Sequence, residues 1–350
     1  MSYPPLRAGL DAQVERAFAP ALTAVEAGQV PGAILGIVDA DGGRAVRIAG
    51  SAQVEPAREA LTRGTWFDLA SLTKVIFTTT TILRLVDEGR FGLDDTLASV
   101  IPDLRQYDVA NAPERRLTFR QCLAHQTHLP GVEPLYTYGQ DPQTLRGFIL
   151  QRAWVSGPPV YSDINFMLLG IAIERVTGLA LIEQPLTEGF SFRPDPALCA
   201  ATERCSWRGR MIRGEVHDEN AFALGGASGH AGLFGTVDAV LDFARSVLSG
   251  DLLSEHGLSA IRLRESSRRT AGWEAWHEGW PGGDACSPDT IGHTGFTGTG
   301  LWIDFQRRLA WTLLTNRVHP TRHRESGIVA LRRATGDQVI AAFARDRDTR

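Results

Sequence analysis

Ser71 stands three residues before Lys74, in Ser71-Leu72-Thr73-Lys74, and that lysine is the only one in a chain with 36 basic side chains. An arginine guanidinium keeps its proton inside a protein, whereas a lysine ammonium shifts its pKa readily when buried and can act as a base. A chain that uses arginine wherever positive charge alone is needed points, by its single lysine, to a place where a neutral amine is required. At a helix start the three-residue spacing puts both side chains on one face, within hydrogen-bonding reach. A serine there also meets helix N–H groups without intrahelical partners and the positive end of the helix dipole. The run from Val75 to Val86 is apolar or threonine on nearly every face of its first turns. Burial of that helix would lower the Lys74 pKa toward neutrality, as a general base requires. The chemistry expected is nucleophilic attack by an activated serine.

Other catalytic patterns are missing from the sequence. It contains no G-x-S-x-G, no H-E-x-x-H, no P-loop and no G-x-G-x-x-G opening a helix. Two further segments stand out instead. Tyr161-Ser162-Asp163 precedes a strong helical pattern, and His293-Thr294-Gly295 lies in a glycine-rich stretch before two apolar runs. Asp163 is open to two readings: it caps the following helix, or it pairs with Lys74 and raises that amine's pKa. As a carboxylate it cannot donate to a substrate amide oxygen. A histidine at 293 is largely neutral at pH 7 unless an acid holds its proton, so it would grip an anion weakly.

In order and context, Ser71-x-x-Lys74, Tyr161-x-Asp163 and His293-Thr294-Gly295 resemble the motifs of the serine β-lactamase and penicillin-binding-protein superfamily. The nearest branch is the one related to class C β-lactamases, with its esterases and D,D-peptidases. Leu117 to His125 is similar to the family's LTxRxLLxH helix, Gly226 to Leu233 with Asp238 to its glycine-rich segment, and Leu301 to Asp304 to its penultimate strand. The resemblance runs from about Gly28 to the C-terminus. It implies an acyl-enzyme mechanism in which Ser71 attacks a carbonyl while Lys74 and Tyr161 relay protons. It further implies an oxyanion hole from the backbone N–H groups of Ser71 and Phe296, and substrate binding by Asp163, His293, Thr294 and Gly295. No cofactor or metal is expected. Asparagine is common in the family where Asp163 stands, and lysine where His293 stands, so small esters fit better than β-lactams. The alternatives are a D,D-peptidase or amidase on peptidoglycan fragments, a weak β-lactamase, and a non-catalytic penicillin-binding sensor module.

The surrounding pattern supplies the elements that must position these residues. Helical spacing runs from Leu10 to Ala27, with Pro20 inside it, and a strand hairpin is expected over Ala33–Val38 and Ala45–Ala49. A helix should follow from Ser71 to Glu88, then mainly helical patterns to about Asn220, the clearest over Asp163–Val176. Val237–Leu248 and Gly327–Phe343 read as helices, and Leu301–Phe305 with Leu309–Thr315 as a hairpin. Strands near both ends with helices between predict an α/β (α+β) domain from residues 1–88 and 221–350, with a mainly helical domain, 89–220, inserted. The family resemblance implies an antiparallel sheet flanked by helices and an active-site cleft between the two domains. At 350 residues, 43% hydrophobic and 22% charged, with a net charge of −4, the chain reads as a globular protein with a small-molecule acyl substrate as its partner and no nucleic acid. The N-terminal stretch lacks an apolar export segment, and no run is apolar enough for a membrane, so the cytoplasm is the expected compartment. Cys122, Cys199, Cys205 and Cys286 lack metal-ligand spacing and are expected to be buried free thiols.

Overall fold

A computed structural model describes residues 11–344. The helix expected from Leu10 is α1, Asp11–Glu26; Leu10 itself and the first half of the stretch read for an export segment lie outside the described residues. The hairpin follows as β1, Gly32–Asp39, and β2, Arg44–Gln53, with β3, Glu59–Ala60, and β4, Phe67–Asp68, after it. Helices α2 (Thr80–Asp87), α3 (Phe119–Leu123), α4 (Pro142–Gln151) and α5 (Asp163–Thr177) occupy the middle of the chain. Between α5 and α6 (Glu219–Ala223) lie β5 (Phe190–Ser191) and a hairpin of β6 (Ala201–Cys205) and β7 (Arg210–Arg213). The expected run of helices to Asn220 is therefore interrupted by strands too short to show an apolar alternation. Last come β8 (Phe234–Gly235), α7 (Val237–Ser249), α8 (Glu255–Arg262), β9 (Glu274–Ala275), β10 (Thr290–Thr294), β11 (Gly300–Asp304), β12 (Leu309–Thr315) and α9 (Ile328–Ala344).

Seven of the strands form one sheet in the order β3-β2-β1-β12-β11-β10-β9, and every neighbouring pair is antiparallel. The central pairing of β1 with β12 joins the two ends of the chain, with Leu35 opposite Leu313. Side chains alternate across the sheet. Ile34 and Val38 face a core shared with α7 and the central helices, while Ala33, Leu35 and Ile37 face a second core with α1 and α9. Both faces being covered explains why β1 reads as an unbroken apolar run in place of a polar–apolar alternation. No helix of the described residues is long and apolar enough to cross a membrane.

The expected helix from Ser71 takes a different form. Ser71 sits in a turn, Leu72 and Thr73 open the helix, Lys74–Thr79 winds as a π-helical segment, and α-helix resumes at Thr80. Threonine hydroxyls stabilise the wider winding: Thr79 Oγ1 donates to the Lys74 carbonyl at 2.7 Å, and Thr80 Oγ1 to that of Val75 at 3.1 Å. Such segments recur at functional sites.

Two glycines let α5 come close to the segment before β8. A Cβ on Gly170 would lie 2.8 Å from the Gly229 nitrogen, and one on Gly229 would collide with the Phe166 carbonyl oxygen. This approach brings the start of α5 and the carbonyl of His230 together around Lys74. Gly229→Ala is expected to destabilise the fold by about 1–3 kcal/mol, the cost of overpacking. Urea denaturation measures it, and an unchanged midpoint would show that the close approach is not required.

Candidate active site

The turn carrying Ser71 is held from both sides. Ala70, just before it, is left-handed at φ 48°, a conformation that costs energy in a residue with a Cβ and persists only where surroundings impose it. Asp68, buried, imposes it here: Oδ1 accepts from the Ala70 N–H at 2.8 Å, while Oδ2 accepts from the His217 N–H at 2.6 Å. Burial pushes the Asp68 pKa up against those two N–H groups. Thr73 Oγ1 donates to the Ala70 carbonyl at 2.6 Å and accepts from the Leu233 N–H at 3.1 Å. Thr297 and Thr299, from the turn between β10 and β11, donate to the carbonyls of Asp68 and Leu69. Gly295 completes that junction, because a Cβ there would collide with Thr299 Oγ1 and crowd the Leu69 carbonyl.

Lys74 is fully buried, and its Nζ reaches three partners. It lies 3.0 Å from Ser71 Oγ, 3.0 Å from the His230 carbonyl and 2.8 Å from Asp163 Oδ1. Of the two readings of Asp163, the structure takes the pairing one. The N-cap position of α5 is Ser162, whose hydroxyl donates to the Pro130 carbonyl at 2.6 Å, and Asp163 is the first helical residue. This pair works against the neutral Lys74 expected from burial alone. Burial, the largest single influence, lowers the amine's pKa, but the Asp163 carboxylate and then Tyr161 together raise it above its ordinary value. That direction favours the ammonium at rest.

Tyr161 stands at the mouth, partly exposed, with its ring 5.1 Å from Lys74 Nζ. The His125 ring packs on it at 4.4 Å, and His293 lies at 5.9 Å. Both imidazoles are buried, and their pKa values fall well below the ordinary histidine range, first through burial and then through neighbouring cations such as Lys74 and Arg269. His125 Nδ1 accepts from the Ser162 N–H at 3.0 Å, and His293 Nδ1 lies 3.0 Å from the Thr294 carbonyl, to which it donates. His293 thus brings no positive charge to the site at neutral pH. His217 and His230 also frame the site, through Glu203 and Asp218 respectively, whereas His128 lies 3.9 Å from Glu114 and does not line the cleft.

Ser71, Tyr161, Asp163, His293, Thr294, Gly295 and Phe296 all line one cavity of about 540 Å³. Among the described residues, the N–H groups of Ser71 and Phe296 donate to no protein acceptor. Two unpaired backbone donors on the wall beside a serine hydroxyl fit the stabilisation of a developing oxyanion. Arg269, Arg317, Arg322 and Arg332 line the same cavity. None of them carries a sequence signal, because each is one arginine among many in loops or on a helix face. Arg322 is paired with Glu203 and Glu219. No described carboxylate forms an ion pair with the other three, whereas the cavity's own acids are engaged: Asp163 by Lys74, Asp218 by His230, Glu219 by Arg322 and Glu274 by His277.

The two buried imidazoles set a pH dependence. An unfolded histidine titrates near 6.5, and His125 and His293 titrate lower in the fold. Below about pH 6.5 the unfolded chain therefore binds protons that the folded one refuses, and stability falls as pH falls, by at most about 1.4 kcal/mol per unit for each group. Urea midpoints should drop between about pH 7.5 and 5.5, and His293→Asn should shrink that drop. An undiminished drop in the variant would contradict the assignment.

Over 79% of its length the chain is 30% identical to an Escherichia coli (strain K12) protein provisionally named a D-alanyl-D-alanine carboxypeptidase, of which 74% is covered. Its fold matches that of EstCE1, a hydrolase with promiscuous acyltransferase activity, with a TM-score of 0.73 at 20% identity, covering 95% of this chain and 99% of that one. It also matches a class C β-lactamase from Rhodobacter sphaeroides, with a TM-score of 0.70 at 18% identity, covering 93% and 99%. The family model described as Beta-lactamase matches residues 14–335, and the chain belongs to that family.

Proposed function

We propose that this protein is a serine hydrolase that opens small esters through an acyl-enzyme on Ser71. The observation that carries the reading is the 3.0 Å contact between Ser71 Oγ and the buried Lys74 Nζ, beside two unpaired backbone N–H groups. Because the resting amine is charged, Lys74 and Asp163 act as one proton-holding unit. The ammonium passes a proton to Asp163, and the neutral amine so formed takes the proton of Ser71 as its oxygen attacks the substrate carbonyl. Tyr161, at the mouth above Lys74, relays a proton to the leaving group. The Ser71 and Phe296 N–H groups hold the oxyanion, and water then releases the acyl group by the reverse transfers. In this reading the cleft lies between the sheet-bearing domain, 1–88 and 221–350, and the inserted domain, 89–220, with Thr294 and Gly295 as its substrate-facing edge.

Arg269 and Arg317 favour a second substrate class. Two guanidinium groups without carboxylate partners suit an acyl substrate that brings its own carboxylate, as a peptidoglycan fragment would, acted on by a peptidase or amidase.

A p-nitrophenyl short-chain ester tests the first reading. Wild type should hydrolyse it and Ser71→Ala should not, and turnover surviving that change would remove Ser71 as nucleophile. Lys74→Arg should be nearly as damaging as Lys74→Ala, because a guanidinium cannot release the proton and a fully enclosed site has no room for its fork. An arginine variant that keeps most of the activity would contradict the proton-holding role. A preference of tenfold or more, about 1.4 kcal/mol, for a carboxylate-bearing amide over a neutral ester would favour the second substrate class. Covalent labelling of Ser71 by a phosphonate without turnover of any ester, amide or β-lactam would favour a binding module.

A further inference from the structure

Arg332, on α9, is 6% exposed and has no carboxylate partner among the described residues. Its Nη2 donates to two carbonyls at 2.7 Å, those of Gly295 and Thr299, and its Nε has no partner. A buried guanidinium without a counter-ion is expensive. Arg317 beside it adds to the cost, and burial together with Arg317 brings the Arg332 pKa down to about 9. Glu274 acts on it only from a distance and forms no ion pair with it.

The Gly295 carbonyl belongs to the peptide whose other end is the Phe296 N–H. A trans peptide is planar, with C=O and N–H pointing in opposite directions, so a donor on the oxygen stands directly behind the N–H. Hydrogen bonding at the carbonyl polarises the group and strengthens the N–H as a donor. The Ala70–Ser71 peptide has the same arrangement, since Thr73 Oγ1 donates to the Ala70 carbonyl at 2.6 Å. Both unpaired N–H groups of the cavity are thus backed by a donor, and only the one at Phe296 is backed by a charge.

We propose that Arg332 is a positioning residue for the oxyanion hole: it fixes and polarises the Gly295–Phe296 peptide and places behind it a positive charge that has no ion-pair partner at rest and gains one when the tetrahedral oxyanion forms. The inference rests on the Ser71 acyl-enzyme reading. It accounts for the missing counter-ion, because an interaction present in the transition state and absent in the ground state is the kind that accelerates a reaction. A permanent carboxylate beside Arg332 would cancel the effect.

The test compares wild type with Arg332→Met, Arg332→Gln and Arg332→Lys on a neutral p-nitrophenyl ester, with phenylboronic acid as a probe that forms a tetrahedral anion on the serine. Arg332→Met should lower kcat roughly 10- to 100-fold, less than the loss of a whole oxyanion donor, with KM within about twofold. Boronate affinity should fall by the same factor as kcat/KM, while thermal stability holds or rises because an unpaired buried charge is gone. Arg332→Gln keeps a donor without the charge and should remain impaired, whereas Arg332→Lys should recover part of kcat. An unchanged kcat in folded Arg332→Met, a loss confined to KM, or full activity in Arg332→Gln would overturn the proposal. Should Arg332→Met fail to fold, the glutamine and lysine variants decide alone. An inactive wild type, or activity surviving Ser71→Ala, would instead overturn the nucleophile reading and is distinguishable from these outcomes.

Discussion

A single ammonium, fully buried and held by one carboxylate, ties together the parts of this protein that carry chemistry. Lys74 Nζ touches the serine hydroxyl, the first residue of α5 and a carbonyl of the glycine-rich segment, three places separate in sequence. Removing such a charge from water is costly unless a partner and further hydrogen bonds satisfy it. The fold must therefore deliver Asp163 and the His230 carbonyl to the same point. The Gly170–Gly229 approach does so, and the threonine-supported π-helical winding turns Lys74 toward both.

The cavity is electrostatically one-sided around that pair. Its acids are committed to cations or histidines, while Arg269, Arg317 and Arg332 have no carboxylate partners among the described residues. Positive charge collects on the wall that bears the unpaired Phe296 N–H, and the imidazoles nearby stay neutral because that charge and their burial resist protonation. The anion this surface lacks at rest is one that an acyl-transfer reaction generates or that a substrate brings with it.

What the sequence made legible follows from the scale of each feature. Ser71 and Lys74 could be picked out because reactive residue types at a short, fixed spacing survive in one dimension, whereas Tyr161, His293 and Phe296 stood out only through the family resemblance; the fold brings all of them to one site. The strands and long helices were readable because burying one or both faces writes a period into the chain, as in β1 and α7. Which of the two readings of Asp163 holds was not readable, since it depends on bringing together residues 89 positions apart, an approach set by two glycines in contact. The π-helical segment escaped for a local reason: threonine hydroxyls choose it, and its apolar pattern differs little from that of an α-helix over one turn. Arg332 was hidden by composition, because a chain that uses arginine everywhere gives no mark to a buried one without an ion-pair partner.

The claim on which the account depends is that Asp163 keeps Lys74 protonated at rest. Because Lys74 is the only lysine in the chain, labelling lysine with carbon-13 at Cε yields one side-chain resonance, and its pH titration reads this amine directly. The wild-type signal should keep the ammonium shift through neutral pH and beyond the ordinary lysine pKa of about 10.4, and in Asp163→Asn the midpoint should move down toward neutrality. A wild-type midpoint near neutral pH, or one that Asp163→Asn leaves in place, would contradict the account.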